Sequence, residues 1–303
     1  HHDAPKSHWR MWYTSYGQRQ QALPGAEGDT LHVAESTDGV RWEKPVLGAF
    51  APAGATLATA SADGSVRLWT VADSSTRAVL RGHGDDVIEL AFSPDGAQLT
   101  SCSSDGTLRI WDARTGLYGG ARVETSAAPY VASYGPFEAL IATASFDGRI
   151  QLWDAATLEP LASWAAHPEN KSCHALGWSA DGRRLVSGSW EPVVRVWDAF
   201  TRTELAHFEQ ADGTNDLAVS PDGKRAAACS GKSVQVYDLV KLERAFVFTG
   251  HTSTALGINF SADSRWCAST GRDAVGSISS QKSAATRLYT LLRPRPYTFA
   301  AIS

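Results

Sequence analysis

An all-β propeller, a ring of four-stranded antiparallel blades, is the fold class this chain predicts, and three observations carry it. The pattern running from Phe50 through Ser61-Ala62-Asp63-Gly64 to Leu68-Trp69 returns 42 residues later as Phe92, Ser103, Asp105, Gly106 and Trp111. It returns again as Tyr134, Ser145, Asp147, Gly148 and Trp153. Within each copy, short runs such as Leu108-Arg109-Ile110-Trp111 and Ile150-Gln151-Leu152-Trp153 alternate in the manner of half-buried strands. Between the runs stand Asp105-Gly106 and Asp147-Gly148, pairs suited to a hairpin turn that needs φ > 0. A fixed period of about 40–45 residues ending in Trp-Asp marks blades that bury their faces by stacking around a ring.

In chain order, residues 1–46 do not fit the repeat. Trp9-Arg10-Met11-Trp12-Tyr13-Thr14-Ser15-Tyr16 reads as one strand and Leu31-His32-Val33-Ala34-Glu35-Ser36 as another, so this segment is a divergent, blade-like unit. Residues 47–280 hold six copies. Their closing aromatics Trp69, Trp111, Trp153, Trp197 and Tyr237 are spaced 42, 42, 44 and 40 residues apart. The last four precede Asp112, Asp154, Asp198 and Asp238, whereas Trp69 precedes Thr70. The sixth copy opens at Phe260-Ser261-Ala262-Asp263-Ser264 and keeps Asp273, but holds Ser279 where the tryptophan is expected. Residues 281–303 read as a degenerate closing strand and a tail, in which Arg293-Pro294-Arg295-Pro296 is either a proline-motif ligand or disordered. Seven blades need about 294 residues. The chain has 303, so the ring has six blades, or seven if the N-terminal segment supplies one. The start without methionine and the decay past Ser279 read as a fused or truncated chain.

These copies resemble the WD-repeat family across about residues 47–280. The resemblance implies a closed ring, typically of seven blades, that holds partners. In residues 8–47, Arg10-Met11-Trp12-Tyr13 followed by Ala34, Ser36, Asp38-Gly39 and Trp42 resembles one blade of the five-bladed glycoside hydrolase propellers. Those enzymes gather carboxylates from several blades, so one blade transfers no catalytic residue.

Composition narrows the function further. A net charge of −4, with 28 basic and 32 acidic residues and no basic tract, argues against a nucleic-acid backbone binder. No apolar run reaches the length of a membrane span. The four cysteines, Cys102, Cys173, Cys229 and Cys267, fall in different copies and read as free thiols of an intracellular, cytoplasmic protein.

The WD-repeat resemblance also implies a buried clasp in which Trp, Ser, His and Asp hydrogen-bond in series. The second copy matches it with His83, Ser101 (or Ser103), Asp105 and Trp111. Asp147 and Trp153 hold the matching slots of the third copy, which has Thr125 for His. The fourth has His167, Ser187 and Trp197, with Glu191-Pro192 for Asp-Gly. The fifth lacks both His and Asp. A Ser-His-Asp set invites a hydrolase reading, but no strand-to-helix nucleophile elbow accompanies it. The expectation is no catalytic residue, no metal site and no cofactor.

In this family the loop with the Asp-Gly turn opens on the partner-binding face, and the residue before the Asp points outward. That slot holds Ala62, Ser104, Phe146, Trp190 and Arg272, and Asp86 stands in a neighbouring loop. Phe146 and Trp190, on successive copies, form the expected apolar anchor. The functional expectation is therefore a non-catalytic scaffold for a protein or peptide partner, within a multiprotein complex, with no nucleic acid or membrane contact. The rivals are a carbohydrate-binding or glycoside hydrolase-like protein and a non-functional fused fragment.

Overall fold

A computed structural model describes residues 9–15, 30–36, 49–50, 56–70, 75–125, 127–137, 140–169, 171–261, 263–273, 275–280 and 286–290. Every regular element among them is a strand. Six four-stranded antiparallel sheets follow one another along the chain, each with its strands in sequence order. They span residues 49–81, 87–124, 129–165, 173–209, 214–248 and 255–290. Trp9–Ser15 and Thr30–Ser36 pair as a separate two-stranded hairpin. Of the glycoside hydrolase-like stretch 8–47, residues 8, 16–29 and 37–47 lie outside the described residues, as does the motif at 293–296.

Successive sheets meet through their first strands, Val87–Phe92 against Pro129–Tyr134, then Cys173–Trp178, Thr214–Val219 and Ala255–Phe260. The second strands explain why the sheets stack. Gln98–Ser103, Leu140–Ser145, Arg184–Ser189, Arg225–Ser230 and Trp266–Gly271 are buried along all but their first residue. A strand covered on both faces needs a neighbour on each side, and only the adjacent sheets can provide them. Core clusters accordingly span two sheets each. Cys102, Leu108 and Ile110 pack with Ala132, Ile141 and Trp153, and Val194 and Val196 pack with Ala226, Ala228 and Tyr237. The fourth strands, such as Pro160–Ala165 and Glu204–Glu209, are largely exposed and form the outer rim.

The Asp-Gly turns hold the geometry that their sequence demands. Gly64, Gly106 and Gly148 have φ of 73°, 80° and 79°. In the sixth sheet, Thr286–Thr290 pairs with Val275–Ser280, so the closing strand forms although Ser279, opposite Cys267, has replaced the tryptophan. The four cysteines are buried and free.

Candidate docking face

Antiparallel order brings two kinds of connection to one end of each sheet: the turn between second and third strands, and the crossing into the next first strand. This end is termed the upper face. The clasps join these connections. In the second sheet the Trp111 indole Nε1–H donates to Ser101 Oγ at 2.8 Å, and Ser101 Oγ lies 2.7 Å from His83 Nε2. His83 Nδ1 faces Asp105 Oδ2 at 3.1 Å. Ser101 is therefore the relay, while Ser103 Oγ donates to the Asp85 carbonyl. Burial opposes charge on Asp105, but hydrogen bonds from Thr107, Gly84 and His83 outweigh it and hold the carboxyl far below the ordinary range.

The other sheets vary this scheme. The fourth has Trp197 Nε1–H donating to Ser187 Oγ at 2.9 Å and Ser187 Oγ at 2.9 Å from His167 Nε2. Glu191 takes the aspartate's part, with Oε2 3.0 Å from His167 Nδ1. Its longer side chain also reaches Arg195, which binds Glu191 Oε1 and Glu204 Oε2, each at 2.8 Å. Burial lowers His167 to about 4, so its imidazole is neutral at neutral pH. In the third sheet Trp153 donates to Thr143 Oγ1 at 2.8 Å, while Asp147 accepts from Ser145 and the Arg149 N–H, so these two residues belong to separate bonds. The fifth sheet substitutes an amide for the imidazole: Gln210 Nε2 donates to Tyr237 Oη at 2.9 Å. The sixth keeps His251 between Ser269, at 2.9 Å, and Asp273, at 3.1 Å. Sequence pattern put Glu191 in the aspartate slot without assigning it the bond to His167, and it missed Gln210, because it sought the residue type and not the reach of the side chain. Ser101 and Ser187 are fully buried, which denies a substrate access to either hydroxyl.

Each of these turns leaves the residue before its acid outside. Ala62, Ser104, Phe146, Trp190 and Arg272 are all exposed, as is Asp86. Phe146 and Trp190 remain 45% and 51% exposed, high values for large apolar side chains in short turns. They belong to one aromatic array. Tyr130 sits edge-on to Phe146 with ring centroids 5.0 Å apart, and its ring is 5.6 Å from that of His174. His174 lies 4.4 Å from Trp190.

Tyr130 and His174 were not singled out in the sequence. Each is the bulged second residue of a first strand, where pairing shifts between Pro129 and Val131 and between Cys173 and Ala175. His174 is also pinned to the next sheet, with Nε2 on the Thr214 carbonyl, as Asn215 Nδ2 binds the Ala255 carbonyl at 2.9 Å one sheet on. Burial lowers the His174 pKa, while its carbonyl contacts act the other way.

Among the described residues no group of three or more His, Cys, Asp or Glu is arranged to hold a metal, and no helix is long and apolar enough to cross a membrane. The family model described as WD domain, G-beta repeat matches residues 43–70, 74–112, 125–154, 158–198, 201–238 and 242–275. The chain is 32% identical over 92 residues to target of rapamycin complex subunit wat1 of Schizosaccharomyces pombe, covering 29% of each protein. It is 45% identical over 95 residues to transducin beta-like protein 3 of Bos taurus, covering 30% of this chain and 12% of that one. With transcription factor unc-37 of Caenorhabditis elegans it shares 31% identity over 108 residues, 35% of this chain and 17% of that one. The matched stretch thus spans less than a third of each relative. The resemblance of residues 8–47 to a glycoside hydrolase blade gains no support from these matches. Six family matches, each taking in the first two strands of one four-stranded sheet and together covering more than half of the sequence, show that the chain belongs to the WD-repeat family.

Proposed function

We propose that this protein is a non-catalytic scaffold whose upper face docks a protein or peptide partner, with Phe146 and Trp190 as the anchors. One observation carries the reading: the two exposed rings are linked through Tyr130 and His174 into a single array across two sheets. Aromatic side chains clustered in this way are the usual energetic centre of an interface. Arg272, Ser104, Ala62 and Asp86 extend the face and form its polar rim. Burial of the Ser101 and Ser187 hydroxyls supports a structural role for the Ser-His pairs. Similarity to a target of rapamycin complex subunit supports membership of an intracellular multiprotein assembly.

The test is affinity capture with mass spectrometry on wild type and on Phe146→Ala/Trp190→Ala, both first shown to share one melting temperature. Partners retained by wild type and lost from the variant are the expected result. An unchanged partner set would remove the array from the interface.

A further inference from the structure

Because the first strands of successive sheets meet one another, they line the axis of the propeller, and this central channel indicates which partner the face takes. The five first strands between Val87 and Phe260 contain no lysine or arginine, but they do contain two carboxylates, Glu89 and Asp216. Both occupy the third position of their strands, just past the bulge, where the other first strands place Val131, Ala175 and Gly257. Asp216 bridges to the next sheet, accepting the Ile258 N–H at 2.8 Å through Oδ2 and its neighbour's N–H through Oδ1. Glu89 is exposed to solvent. Burial, with the charge of Asp216 added, pushes it up to about 7. Burial likewise raises Asp216 to about 7. No basic side chain of these strands offsets the two carboxylates.

The aromatic array stands at the mouth of this channel. Tyr130 and His174 directly precede the wall residues Val131 and Ala175. His174 binds the carbonyl of Thr214, two residues before Asp216 on the same strand. Beyond Trp190, whose backbone lies against Gly213, comes the exposed Asp212. A cation entering here would meet aromatic faces first and carboxylates next, and both attract it. An acidic segment would be repelled at the same place.

We propose that the docking face takes a peptide segment that inserts a lysine or arginine into the channel mouth toward Glu89 and Asp216. An adjacent aromatic or large aliphatic side chain of that segment rests on the array of Phe146, Tyr130, His174 and Trp190. This assignment rests on the docking reading above and adds the chemistry of the occupant.

The test is selection from a phage-displayed random peptide library on the full chain, followed by titration of a synthetic enriched peptide. The expected clones share a basic residue beside an apolar one. Affinity should fall at least about tenfold with Glu89→Gln, the loss typical when one partner of an enclosed charge pair is removed. Replacing the peptide's arginine by citrulline, or its lysine by norleucine, should give a similar loss and leaves the protein untouched. Enriched clones without a basic residue, or affinity insensitive to both changes, would overturn the charged occupant. If those clones are still lost with Phe146→Ala/Trp190→Ala, the docking face itself stands. Failure to enrich any clone, or indifference to the alanine pair as well, would overturn both readings.

Discussion

Deleting one oxygen atom tests whether the clasp stabilises its blade. Ser101 is 0% exposed, and its Oγ meets two buried groups, the Trp111 indole N–H at 2.8 Å and His83 Nε2 at 2.7 Å. The polarity of the chain follows from the donors available. His83 Nδ1 faces the Asp105 carboxylate, so that nitrogen carries the proton and Nε2 is an acceptor. The serine hydroxyl therefore donates to His83 and accepts from Trp111, and every proton in the series is used once. Ser101→Ala would remove the bonds that the indole N–H and the imidazole Nε2 make to this hydroxyl. A buried polar group without its hydrogen bond costs about 1–3 kcal/mol, so the expected loss is about 2–5 kcal/mol. Against a typical total of about 5–15 kcal/mol that is a large fraction. The assay is urea unfolding followed by circular dichroism, with Trp111→Phe and the double variant alongside. In the Trp111→Phe background the indole donor is already gone, so Ser101→Ala should cost about 1–3 kcal/mol less there. A loss under about 0.5 kcal/mol, or an equal cost in both backgrounds, would refute the series.

Two further predictions follow from the turns and the buried ionisable groups. Gly148 and Gly106 share nearly the same φ, but a Cβ on Gly148 would lie 2.6 Å from the His167 carbonyl and 2.8 Å from that of Pro168, whereas one on Gly106 would meet nothing within 4 Å. Gly106→Ala should therefore lose only the conformational term of about 1–2 kcal/mol, and Gly148→Ala clearly more; equal drops in melting temperature would refute the steric argument. The pH response has two opposed parts. His167 is held at about 4 against 6.5 when free, so below pH 6.5 the unfolded chain takes a proton that the folded one refuses, and about 3 kcal/mol of stability drains away by pH 4. Glu89, raised from 4.5 to about 7, binds its proton in the folded state first and returns stability as pH falls through that window. Glu89→Gln should thus be more stable than wild type at pH 8 and lose stability more steeply between pH 7 and 4.5 in unfolding titrations; parallel curves would contradict this.

The features legible in the sequence were those that repeat. Trp111, Trp153 and Trp197 announce their strands because each blade needs a large ring at the same place in the second-to-third strand pairing, where each faces Leu99, Ile141 and Leu185. The Asp-Gly turns were legible because few residues tolerate their φ. The slot of Glu191 was legible but its bond to His167 was not, and Gln210 was not legible at all, since each does the work of a different residue type through a different length of side chain. Tyr130 and His174 were hidden for another reason. Simple alternation assigns a face to each strand residue, but a bulge adds one residue and re-aims it. The exposed positions of Phe146 and Trp190 could be inferred from their slot, but their connection through two other rings depends on how adjacent sheets meet.

Stability and recognition are separated within a single turn. The acid of each turn is held by the clasp or by the turn's own hydroxyl, so its freedom to vary is limited by the buried groups it must satisfy: Asp105 by His83, Glu191 by His167, Asp273 by His251. The residue just before it is exposed in each of these turns and ranges from Ala62 to Trp190. A change there alters the face without disturbing the blade. The proposed docking contacts fall on the third and fourth sheets. The third sheet has no imidazole in its tryptophan's bond, and the fourth has a glutamate where others have the aspartate. They nevertheless carry the two exposed aromatic rings. The anchors are held by the Tyr130 and His174 bridge across the seam, so the array depends on the packing of two sheets together more than on either clasp alone.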